Sequence, residues 1–206
     1  MHYTKADIIE LPRVKRLNII NSITGIKPGN LIGTLSKEGV SNLAVFSSVV
    51  HLGSDPALLG FILRPTTVPR NTMNNILTNK VYTINHIPLD KTKEAHYTSC
   101  KFPANESEFA ACNFTEEYLE DFEAPFVRES PIKMGMRFIE AIPIPINGTQ
   151  LIIGQIEQLI FPDQALTEKG YIDLEESIGI GGLNNYYSLE KKATYPFARL
   201  NELPEF

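Results

Sequence analysis

Residues 41–75 read SNLAVFSSVVHLGSDPALLGFILRPTTVPRNTMNN, two strand-like runs that converge on the start of a helix. The first run mixes apolar residues with small hydroxyls, Leu43, Val45 and Phe46 leading into Ser47 and Ser48. Gly53-Ser54-Asp55-Pro56 reads as a turn, because Gly and Asp supply turn geometry and proline drives the residue before it out of helical dihedrals. A second strand is predicted over residues 57–63, ending on Arg64-Pro65. The chain then passes Pro69 and Arg70 to Asn71 and Thr72, two N-cap candidates for a short helix over residues 73–78.

Such a helix start is a candidate anion site. Its free backbone N–H groups and dipole favour negative charge, and Arg70 beside it can grip two phosphate oxygens, with Arg64 as a second cation. A plainer reading is open as well: Asn71 or Thr72 only caps the helix and the arginines line a solvated loop. The Ser47-Ser48 pair weighs towards a site, since hydroxyls and strand-end amides can bind the rest of a polar ligand.

The chain has 206 residues and 43% hydrophobic content, enough for one sizeable core, and residues 1–206 are expected to form a single domain. A net charge of −5 and a pI near 5.4, with no basic cluster longer than Lys191-Lys192, argue against a nucleic-acid binder and for a small-molecule partner. No apolar run approaches a membrane span and the start, MHYTKADIIELPR, lacks a signal-peptide core, so no membrane partner and a cytoplasmic location are expected. Cys100 and Cys112 read as reduced thiols, and His2, His51, His86 and His96 show no ligand spacing, so no metal site is expected.

Around the central stretch, Val14, Leu17, Ile20 and Ile23 fall on one stripe of a helix over residues 11–24, closed by Gly25 and expected to cover the sheet. Residues 29–36 and 40 onward form a hairpin turned at Gly39. Residues 80–87 alternate as a half-buried strand. Residues 89–101 are predicted as helical, residues 103–112 as a loop and then a short helix capped near Asn105 or Ser107, and residues 115–122 as a helix with Thr115 capping an acidic first turn. Asn147-Gly148, between two alternating runs, is the strongest hairpin signal, and Gly154 mid-strand marks a bulge or a close approach. The Gly-rich SIGIGGLNNYY at residues 177–187 reads as a closely packed loop. About six strands at hairpin spacing, with short helices in the connections and no βαβ alternation, predict a mainly β protein, an antiparallel barrel with peripheral helices.

Taken in order, NLAVFSSVVHLGSDPALLGFILRP, RNTMNNI, TQLIIGQI and SIGIGGLNNYY resemble the flavin reductase-like proteins with an FMN-binding split barrel, across residues 18–187. That resemblance implies a split β-barrel that dimerises with FMN near the subunit interface. It places the flavin and its ribityl chain along Asn42, Ser47, Ser48, Val49 and Val50, and the phosphate at Arg70, Asn71 and Thr72 with Arg64 nearby. His96, in HYTSCKFP, resembles a family segment near the ring. The chain departs from the reductase pattern at Thr149-Gln150, where reductase members carry an acidic residue and a histidine for the nicotinamide.

No catalytic triad is required for this chemistry, and none is legible: Ser47 and Ser48 lack a GxSxG elbow, and Gly179-Ile180-Gly181-Gly182 lacks the strand-to-helix context of a dinucleotide fingerprint. The resemblance implies an NAD(P)H-dependent flavin reductase, with NADH or NADPH as donor and free flavin, oxygen or a partner monooxygenase as acceptor. Two alternatives stand beside it: an FMN protein without turnover, serving in storage, sensing or electron carriage, and a cofactor-free interaction barrel.

Overall fold

A computed structural model describes residues 1–65, 71–175, 177–200 and 203–204. In chain order the elements are α1 (Lys5–Glu10), α2 (Arg13–Ser22), β1 (Lys27–Pro28), β2 (Asn30–Leu35), β3 (Ser41–Phe46), β4 (Val50–Ser54), β5 (Ala57–Leu63), α3 (Asn71–Asn79) and β6 (Val81–His86). There follow α4 (Thr92–Tyr97), α5 (Glu108–Ala111), β7 (Glu116–Glu117), β8 (Phe126–Val127), β9 (Lys133–Ile144), β10 (Thr149–Ile160), β11 (Ile178–Gly181) and β12 (Asn185–Ser188).

Seven strands form an antiparallel sheet in the order β3-β2-β6-β9-β10-β5-β4. Strands β3 and β4 lie at its opposite edges, yet only Ser47, Ser48 and Val49 join them in sequence. A sheet whose two edges are tied by so short a link must roll up, and here it forms a barrel left open along one seam. Ile32, Phe61, Tyr82, Ile84, Met136 and Ile152 fill the barrel and are fully buried. The β2–β3 hairpin pairs Asn30 with Phe46 and Leu35 with Ser41, and turns at Gly39 with φ +82°, as its sequence predicts. The β9–β10 hairpin turns at Asn147-Gly148, also as predicted.

At Gly154 the register shifts against β9, so the expected bulge is present. What approaches the missing side chain is the Tyr82 hydroxyl, only 2.1 Å from where a Cβ would sit.

Several elements differ from the sequence reading. Strand β6 is buried on both faces rather than half-buried, because a second layer covers its outer side. There Thr83 donates to the Pro125 carbonyl (2.6 Å), while the Asn85 amide donates to the Leu31 carbonyl (3.1 Å) and its oxygen accepts from the Val127 amide (3.1 Å). Leu31, Leu43, Phe109, Val127 and Ile178 form the apolar part of that layer.

The predicted helix over residues 115–122 is instead strand β7 and a turn. Thr115 gives its amide and hydroxyl to Glu129, Ser41 donates to Glu116, and Glu117 pairs with Lys133, so the residues meant for a capped first turn are committed to partners elsewhere in the chain. Glu120 and Asp121 then take positive φ (43° and 49°), which ends any helix.

The Gly-rich stretch is the β11–β12 hairpin rather than a loop, and β11 pairs with β1 in a separate three-stranded sheet. The helix expected over residues 89–101 is confined to α4. Helix α2 does not cover the sheet: Val14 and Ile23 are each 70% exposed, and Leu17 and Ile20 also face outward.

Candidate functional site

The open seam of the barrel lies along the free edge of β3, where the sheet order ends. Within β3, Ser41 to Leu43 are buried, but residues 44–48 are half-buried, because no strand covers that stretch. At the near end the Ser48 hydroxyl both donates to the Ile62 carbonyl and accepts from the Ile62 amide, each at 3.1 Å, replacing the ladder that β3 and β5 do not form. At the far end the Asn42 amide donates to the Thr72 hydroxyl on α3 (3.2 Å). The stretch from Asn42 to Ser48, ~20 Å long at strand rise, is thus tied to α3 at one end and to β5 at the other.

Helix α3 is held across the end of the barrel by polar contacts. Asn75 donates to Thr34 (3.0 Å), Asn79 donates to the Leu35 carbonyl (2.6 Å), and Thr72, Asn75, Thr34 and Asn42 are all buried. The helix starts at Asn71, so Asn71 and Thr72 are first-turn residues rather than its caps. Their backbone N–H groups belong to the set that a helix leaves without intrahelical partners.

The sequence-predicted residues therefore divide. Asn42, Ser47, Ser48, Asn71 and Thr72 line the seam or its ends, and Ser47 has no hydrogen bond to a described residue. Val49 is buried in the core, Val50 opens edge strand β4 with its side chain exposed, and Arg64 is exposed just past β5. Arg70 lies outside the described residues. His96 packs edge-on against Tyr186 of β12, its Nδ1 3.3 Å from the phenol oxygen, and burial pushes the Tyr186 phenol up to about 12.

Gln150 pairs with Leu63, so the departure from the reductase pattern sits beside the strand end that carries Arg64.

Sequence reasoning missed the contacts that fix Ser48 and α3: the Ile62 backbone, Thr34, Asn75 and Asn79. The asparagine spacing in NTMNNILTN was the available signal, since positions three and four apart share one helix face. It also missed Glu108, whose buried carboxylate accepts the Leu43 amide (3.0 Å) and closes the free edge of β3, while burial raises its pKa. A cavity of about 320 Å³ adjoins the Asn42–Thr72 end, between the β2–β3 turn and α3. Among the described residues no group of acidic, histidine or cysteine side chains could hold a metal, and no helix is long and apolar enough to cross a membrane.

Residues 26–176 match the family described as the flavin reductase like domain. The chain belongs to that family. A split-barrel protein of flavin reductase type from Shewanella frigidimarina is 43% identical, with a TM-score of 0.93 over 96% of this chain and 100% of the other. Two more distant structures share the fold. Nitrilotriacetate monooxygenase component B from Bacillus cereus is 21% identical, with a TM-score of 0.82 over 95% of this chain and 98% of that one. Flavoredoxin of Desulfovibrio vulgaris is 23% identical, with a TM-score of 0.72 over 84% and 92%. The split β-barrel expected from the sequence is the fold observed, in a family of flavin-related oxidoreductases.

The residues at the seam fit a phosphorylated flavin. Ala44, Val45 and Phe46 offer a partly uncovered apolar stretch, Ser47 a spare hydroxyl, and α3 a set of first-turn amides. Asn42 and Thr72, buried where β3 meets the first turn of α3, are neutral, so neither opposes an anion there.

Proposed function

We propose that the protein is an FMN-dependent oxidoreductase that takes a hydride from NADH or NADPH and passes electrons to free flavin or a partner monooxygenase. The carrying observation is the half-buried edge of β3 from Ala44 to Ser48, tied to β5 at Ser48–Ile62 and to the first turn of α3 at Asn42–Thr72. When bound, the flavin supplies the redox chemistry. The chain's own residues bind and orient it. Asn71, Thr72 and Arg70 hold the phosphate, Arg64 adds positive charge, Ser47 and the strand amides up to Val50 hold the polyol and ring edge, and Ser48 keeps β3 tied to β5. Asn42 sets the Thr72 hydroxyl, and Val49 anchors the link from inside the core. His96 is assigned to the same ligand by family resemblance, at one remove through α4.

A homodimer is part of this reading, supported by the uncovered apolar stripe of α2. The monooxygenase partner is supported by the shared fold of the nitrilotriacetate monooxygenase component. A second reading, an FMN protein without turnover, is favoured by Thr149-Gln150 at the place where the reductase pattern carries its histidine.

The test is an absorbance spectrum of the purified protein, an FMN titration, and NADH and NADPH oxidation with added flavin. Bound FMN with nicotinamide oxidation is the expected result. A yellow protein that oxidises neither nucleotide selects the second reading, and a protein that takes up no FMN overturns both.

A further inference from the structure

Residues 1–25 precede the stretch that matches the family, and neither of their two helices, α1 and α2, buries a single residue. A helix of 10 residues is marginal alone in water and persists through packing of an apolar face. Local help is missing from α2 as well. No side chain caps its start, and it has no acidic residue in its first turn and no basic one in its last. Yet Val14, Leu17 and Ile20, with Ile23 just beyond, are all exposed. The packing that α2 needs has to come from outside the chain.

The barrel carries an uncovered surface of the complementary kind. On the wall made by β4, β5, β10 and β9, Phe61 and Ile152 point into the core, so strand alternation turns their neighbours Gly60, Ile62, Leu151 and Ile153 outward. Leu52 and Leu151 close over Gly60, where a Cβ would lie 2.9 and 3.0 Å from their methyl groups. Val50, Leu52, Ile139 and Ile142 extend this apolar surface and are 48, 42, 49 and 40% exposed, so no described element covers them. Wall and α2 stripe are exposed in the same folded chain, and neither covers the other.

We propose that α2 of one copy lies across this wall of a second copy, whose own α2 returns the contact. The sizes agree, since the helix is ~15 Å long and the four strands span ~14 Å from first to last. The charges agree too. Arg13, Lys15 and Arg16 lie on α2 with no acidic residue among them, while the wall presents Glu140, opposite Ile153 and without an ion pair to a described residue. Arg137, farther along β9, is already paired with Glu157. A two-fold exchange makes the contact twice and closes the pair. The inference rests on the homodimer of the proposed function, names the surfaces that form it, and does not require bound flavin.

The test is sedimentation over a dilution series of three chains: the natural one, Leu17→Asp with Ile20→Asp on α2, and Leu52→Lys with Ile142→Lys on the wall. All four side chains are exposed, and a cooperative thermal transition confirms that each variant is folded. The natural chain should be a dimer, and each variant alone should have its dimer dissociation constant raised at least about tenfold. Mixing the two variants should restore the dimer, because Asp on one copy then faces Lys on the other. A natural dimer that tolerates the α2 changes, or a mixture that does not recover, overturns the proposal and leaves the homodimer standing. A natural chain that is a monomer at every concentration overturns both. An FMN titration of the same samples reports on the flavin reading separately.

Discussion

At the scale of single residues, Gly154 and Tyr82 make one joint. The Tyr82 hydroxyl is fully buried, has no hydrogen-bond partner among the described residues, and occupies the space a Cβ at position 154 would take. Burial raises its pKa far above the ordinary phenol range, so it stays neutral. Gly154→Ala should destabilise the fold by about 1–3 kcal/mol, because the clash is inside a packed barrel. Tyr82→Phe should cost little or stabilise, since the lost hydroxyl surrenders no bond. In the double variant the alanine meets a ring carbon 2.9 Å away rather than an oxygen at 2.1 Å, so part of the loss should return. Urea denaturation of the three variants measures this coupling, and additive effects would refute the contact. Ser48→Ala makes a different claim. It strips both partners from the Ile62 backbone, and the expected loss is about 1–3 kcal/mol together with weaker FMN binding as the β3 edge loosens.

At the scale of elements, α3 and α5 do their work through polar contacts that no hydrophobic pattern announces. Asn75→Leu keeps helix propensity but leaves the Thr34 hydroxyl buried without its donor, and a cost of about 1–2 kcal/mol is expected in denaturant titration. Glu108→Ala should be worse than Glu108→Gln, because glutamine retains an oxygen for the Leu43 amide.

These same contacts explain what the sequence could and could not tell. Hairpins were legible at Gly39 and Asn147-Gly148, where turn chemistry is local. The hydroxyl run at Ser47 and the helix start at Asn71 were legible as site candidates for the same reason. The TEEYLEDF segment misled because Glu116 and Glu117 answer to Ser41 and Lys133, far away in sequence, and local propensity yields to such partners. The double-sided burial of β6 was hidden likewise, since its outer cover comes from residues 109–127.

At the scale of the whole molecule, the barrel end opposite α3 carries an ionisable group that limits the fold in acid. Asn30 lies between Phe46 and His86 across three neighbouring strands, and burial lowers the His86 imidazole to about 4. Its neutral form is the one the fold accommodates. Unfolded, the ring titrates near its ordinary value of 6.5, so the unfolded chain binds the proton first. Stability from this group is complete above about pH 6.5 and drains away as pH falls towards 4, amounting to about 3 kcal/mol in all. Buried and paired carboxylates titrate over part of the same range, so the natural chain alone does not isolate the effect. The comparison that does is His86→Asn against the natural chain, each unfolded by urea at pH 7 and at pH 4.5. Asparagine cannot be protonated in that range, so its stability should fall less between the two. An equal fall in both proteins would show that His86 carries no such load and that the carboxylates account for the acid sensitivity of the barrel.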